Sequence, residues 1–123
     1  MTCRVRERLL NRSIVSAIDR GDTIEGMDGR VYTPGFSLDN GFAVGIENNA
    51  ILHGMNSYTE LVGLKLMDIK CEVENKRIKF YFENNKSIEI DMSDSGFNGP
   101  EAIIIEKGAE ITVIRDLEEN NEK

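Results

Sequence analysis

The chain has 123 residues, of which 40% are hydrophobic and 30% charged, and a net charge of −7. That length supports a single domain with one core and no covalent staples. The acidic balance disfavours direct binding to DNA, RNA or anionic lipid: phosphate neutralisation needs a basic stripe, and the only basic cluster is Arg4, Arg6, Arg8 and Arg12.

No apolar run reaches membrane-spanning length, and MTCRVRERLL lacks the apolar segment of a signal peptide, so the expected compartment is the cytoplasm. Cys3 and Cys71 are far apart with no CxxC, and reduced thiols without a zinc or redox role are expected.

Residues 3–10 are expected to form a short helix ending at Asn11, followed by a strand in LLNRSIVSAI (9–18). A long connection, GDTIEGMDGRVYTPG (21–35), leads to the hairpin GFSLDNGFAVGIEN. There a three-residue loop, Asp39-Asn40-Gly41, pairs Phe36 with Val44 and Leu38 with Phe42, with Gly41 left-handed. After AILH, the chain's single histidine, His53, is expected in a loop. Ser57 and Glu60 form a capping-box pattern, and Gly63 is a natural stop, which predicts one helical turn near 58–62 and a strand from Lys65 to Val73.

The strongest signal lies in IKFYFENNKSIEIDM. Ile78, Phe80 and Phe82, then Ile88, Ile90 and Met92, recur at a period of two, so both segments are half-buried strands. A two-residue loop would place Phe80 opposite Glu89. A loop of Glu83-Asn84-Asn85 instead pairs Phe80 with Ile88 and Ile78 with Ile90, through a type I turn and bulge with Asn85 left-handed. SDSGFNGP (93–100) is a loop, and AIIIEKGAEITVI forms a strand, a turn at Glu106-Lys107-Gly108 and a last strand. Three consecutive isoleucines predict a first strand covered on both faces.

LLNRSIVSAI matches LVGLKLMDIK at an offset of 52, and the two hairpins match at an offset of 44. The reading is a tandem unit of short helix, strand and hairpin, over about 3–48 and 57–92. A hairpin over 101–114 completes a domain of residues 1–115, and 116–123 is a charged tail. The expected class is α+β, mostly β, with antiparallel sheets packed around one core.

Catalytic signals are weak. Asp91, Ser93, Ser95 and Gly96 fall at EF-hand loop spacings, but position 12 is Ala102 and a polar turn explains the stretch better. Asp91 and Glu101 form a carboxylate pair of a kind that 22 acids supply by chance. One histidine excludes a multi-histidine metal site, and no nucleotide or nucleophile fingerprint is present. No catalytic residue, metal or cofactor is expected. Gly99-Pro100-Glu101-Ala102 is a strand-entry corner that can also present Glu101 beside Asp91 and Asp94 as an acidic rim.

The pattern LVGLKLMDIK…IKFYFENNKSIEIDM…FNGPEAIII resembles a group of small bacterial β-rich proteins with a Gly-Pro-Glu-Ala corner. Some of these resemble immunity proteins of polymorphic-toxin or contact-dependent growth inhibition systems. The resemblance implies a cytoplasmic inhibitor that covers a basic toxin, such as a nuclease domain. Tyr81, Asp91, Asp94 and Glu101 are the candidate partner-binding residues, with Tyr81 as aromatic anchor. Two other classes stand beside it: a structural module forming homodimers through strand edges, and a ligand binder or enzyme using a cleft between the repeats.

Overall fold

The computed structural model describes residues 9–19, 34–93, 103–108 and 110–114. The strands are β1 (Ile14–Ile18), β2 (Gly35–Leu38), β3 (Ala43–Ile46), β4 (Ala50–His53), β5 (Leu66–Glu72), β6 (Arg77–Phe82), β7 (Ser87–Asp91), β8 (Ile103–Lys107) and β9 (Glu110–Ile114). They form a five-stranded sheet, β1-β2-β3-β8-β9, and a four-stranded sheet, β4-β7-β6-β5. All the pairings in both sheets are antiparallel.

Alternation places the core between them. Ile78, Phe80, Phe82, Ile88 and Ile90 face inward from one sheet, and Phe36, Leu38, Val44, Ile46, Ile103 and Ile105 from the other. Phe36 packs edge-on against both Phe80 and Phe82, with centroids 5.9 and 5.5 Å apart. Burying each such side chain contributes about 1.5–3 kcal/mol.

The two repeats obey the same hydrogen bonds. Asn11 N donates to Leu66 O and Gly63 N to Ile14 O, both at 2.8 Å; Ile14 N donates to Leu64 O and Leu66 N to Arg12 O. Each pair maps onto the other at the offset of 52. The bridge Ser13↔Lys65 joins equivalent residues, so it marks a local two-fold axis between the units. The bulge in β1, between Ile14 and Ser16, recurs in β5 between Leu66 and Asp68. It pushes out the equivalent residues Val15 and Met67, 56% and 46% exposed. Asn11 and Gly63 are both left-handed, with φ of 62° and 91°.

The acid in each hairpin is explained by the same symmetry. Asp39 N donates to Ser13 O, and Glu83 N to Lys65 O. In return the Asp39 carboxylate accepts Ser13 N at 3.3 Å, and Glu83 accepts Lys65 N at 2.8 Å. Each acid ties its hairpin to the first strand of its own unit.

The fourth strands are exchanged. β4 follows the first unit but pairs with β7 of the second, while β8 follows the second and pairs with β3 of the first. Leu52 lies opposite Ile88, and Ile105 opposite Val44, which are equivalent positions. At the first crossover, buried Asn48 donates from Nδ2 to Asp91 O at 2.8 Å, fixing the entry to β4.

Several expectations change. The class is mostly β rather than α+β, because no helix among the described residues reaches seven residues. The turn expected near 58–62 is a four-residue 3-10 turn, Tyr58–Leu61, with the Ser57–Glu60 capping box in place. The Glu83-Asn84-Asn85 loop keeps the expected register, Phe80↔Ile88 and Ile78↔Ile90. Its turn is not type I, since both Asn84 and Asn85 have positive φ, at 62° and 59°. β8 is covered on one face only: Ile103 and Ile105 are buried and Ile104 is half-buried. His53 is the last residue of β4, not a loop residue. Cys71 is disulfide-bonded rather than reduced; Cys3, the other cysteine, lies outside the described residues, as do residues 3–8 of the helix expected over 3–10 and most of the 21–35 connection.

Candidate functional site: the outer face of the four-stranded sheet

Because inward positions on β6 and β7 are apolar, the intervening residues share the outer face. Register sets them in rows: Asp68, Tyr81, Ser87 and His53; then Lys70, Lys79, Glu89 and Ile51; then Glu72, Arg77 and Asp91. Four carboxylates meet three cations, so the face is close to neutral.

The charges are paired in place. Arg77 bridges β7 from Nε to Glu89 (3.1 Å) and from Nη1 to Asp91 (2.9 Å). His53 Nε2 lies 3.3 Å from the other oxygen of Glu89. Lys70 and Lys79 stand directly opposite each other, which is repulsive. Each turns away: Lys79 to Glu72 at 3.3 Å, and Lys70 over the Tyr81 ring at 5.5 Å. Hydrogen bonding to Asn75 and Lys79 lowers the Glu72 pKa, and Glu72 raises that of Lys79.

Of the expected site residues, Tyr81 and Asp91 share this face, at opposite ends of the β6–β7 pair. Tyr81 is half-buried. Asp91 is not a free acid. Its Oδ1 accepts Ser93 Oγ (2.5 Å) and Ser93 N (2.8 Å), and with the Arg77 charge these hold its carboxyl below the usual range. Asp94, Glu101 and the Gly-Pro-Glu-Ala corner lie outside the described residues. Arg77, Lys70 and Glu89, which complete the face, escaped notice as site residues. The alternation that marks the core marks them too, as its polar complement.

A groove of about 560 Å3 lies on the outer face of the five-stranded sheet. Small residues across three strands create it: Ser16, Gly35, Ser37, Ala43 and Gly45, with Glu106 at one end. Its volume suits a small ligand. It lies on one sheet's outer face, not between the repeats, where packed side chains fill the interior.

No family model, curated protein or solved structure matches this chain.

Proposed function

We propose that the chain is a protein-binding inhibitor of the toxin-immunity kind, which covers a basic partner such as a toxin nuclease domain. The observation that carries the reading is the pre-paired outer face of the four-stranded sheet around Tyr81. Side chains already held by Arg77, Lys79 and Lys70 lose little further freedom on docking. A half-buried tyrosine with a lysine held over its ring is the type of anchor that dominates interfaces. The net charge of −7 favours encounter with a basic surface.

Four strands by five residues give a face of roughly 300 Å2, against about 800 Å2 per partner in a standard interface. The contact therefore extends onto flanking turns. Asp91 serves as a frame for Arg77 and Ser93. The reading assigns no catalytic residue, cofactor or nucleic acid.

No helix among the described residues is long and apolar enough to cross a membrane. The disulfide of Cys71 favours an oxidising compartment over the expected cytoplasm, because such bonds persist there. Affinity capture from a lysate of the source organism, washed at low and high salt, tests the function. One basic partner retained at low salt, released at high salt, and bound about tenfold more weakly by Tyr81→Ala is expected. A partner indifferent to Tyr81→Ala, or no partner at all, would count against it.

A further inference from the structure

The exchanged strands leave the two sheets unequal. β8 is covered along its whole length by β9, from Ile103↔Ile114 to Lys107↔Glu110. β4, its counterpart, has no strand on its far side among the described residues. The core records the difference: Ile103 and Ile105 are 0% and 1% exposed, whereas Ala50 and Leu52, the inward residues of β4, are only half-buried.

Backbone direction is fixed by one hydrogen bond. Asp91 N donates to Asn49 O, so residues 49, 51 and 53 turn their polar groups toward β7. By alternation, the N–H and C=O groups of Ala50 and Leu52 point to the side of β4 that no described strand covers. β4 carries no lysine, proline or bulge, the usual blunting devices of an edge strand, and Ile51 is 54% exposed.

We infer that this edge is a self-association site, where β4 of a second copy pairs antiparallel about a two-fold axis through Ile51. In that register Ala50 and Leu52 of one copy exchange backbone hydrogen bonds with Leu52 and Ala50 of the other. The small residue faces the large one on the inner face, and the half-buried core edge is closed. Ile51 meets Ile51 as the close, non-hydrogen-bonded pair on the outer face. A register centred on Leu52 would recruit Gly54, which leaves the strand with φ of 76°. The nearest ionic groups in the Ile51 row are the two Glu89 carboxylates. They stand three strand spacings apart, about 14 Å, beyond the ~8 Å screening length of physiological salt. The dimer would join the two four-stranded sheets into one, and it stands independently of the inhibitor reading.

Sedimentation over a wide concentration range tests it, with circular dichroism to confirm folding. The weight-average mass is expected to rise from 13.8 kDa toward twice that value. Ile51→Lys, at an exposed position, is expected to weaken association about tenfold or more without loss of fold. Ile51→Cys is expected to form an interchain disulfide on a non-reducing gel, whereas His53→Cys, facing Asn49 of the other copy, is not. A single 13.8 kDa species at every concentration overturns the proposal. So does a dimer that Ile51→Lys leaves intact, or one cross-linked by His53→Cys and not by Ile51→Cys.

Discussion

Glu83→Ala removes the carboxylate that accepts Lys65 N at 2.8 Å and ties the second hairpin to β5. A hydrogen bond to a charged group contributes about 1.5–3 kcal/mol when sheltered, and this one is solvent-exposed. Water can then satisfy the freed N–H, so the expected loss is about 1 kcal/mol. With a urea slope of about 2 kcal/mol/M, the midpoint falls by about 0.5 M. Glu83→Gln keeps an acceptor oxygen and should lose only a few tenths of a kcal/mol, about the scatter of a surface substitution. Asp39→Ala, whose bond is longer at 3.3 Å, should lose less than Glu83→Ala. Urea unfolding of the four proteins measures this directly. If Glu83→Ala leaves the midpoint unchanged, or Glu83→Gln costs as much as Glu83→Ala, the structural role given to the repeated acid is wrong.

Three further outcomes are expected. The Asp91 carboxyl is held below its ordinary value of 3.8, so its contribution is present above that pH and lost as pH falls through the depressed folded value. Asp91→Asn should therefore flatten the acid side of the stability profile below about pH 4, and an unchanged profile would contradict the Ser93 and Arg77 contacts. Gly54→Ala should cost about 2 kcal/mol or more by thermal unfolding, since φ is 76° and a Cβ would lie 2.7 Å from Asn85 O; a neutral result would contradict that close approach. Thiol titration of the denatured, unreduced protein should find no reactive Cys71, and a free thiol there would restore the reduced-cytoplasm expectation.

What was legible in the sequence was local. Residues 78–92 alternate without interruption, so their strands, register and polar face followed from the period alone. The offsets of 52 and 44 showed the repeat because both units need the same loop chemistry. The strand expected from Lys65 to Val73 is β5, Leu66–Glu72, but its bulge was not legible: Met67 spaces inward Leu66 and Ile69 three apart, which breaks the strand period. The exchange of β4 and β8 could not be read, since pairing partners 34–40 and 57–63 residues away leave no trace in a short window. Asp91 was expected in the loop, and it is the last residue of β7, on the same face as Tyr81; the Arg77 pairing that cancels its charge needed the register with β7.

The most direct test is amide hydrogen exchange of β4, read residue by residue by NMR in a concentration series. At low concentration, Ile51 and His53, bonded to β7, should exchange slowly, and Ala50 and Leu52 quickly; at high concentration Ala50 and Leu52 should gain protection. Fast exchange at Ile51 and His53 would refute the pairing with β7 and the strand exchange with it. Slow exchange at Ala50 and Leu52 even at the lowest concentration would show that the edge is not open.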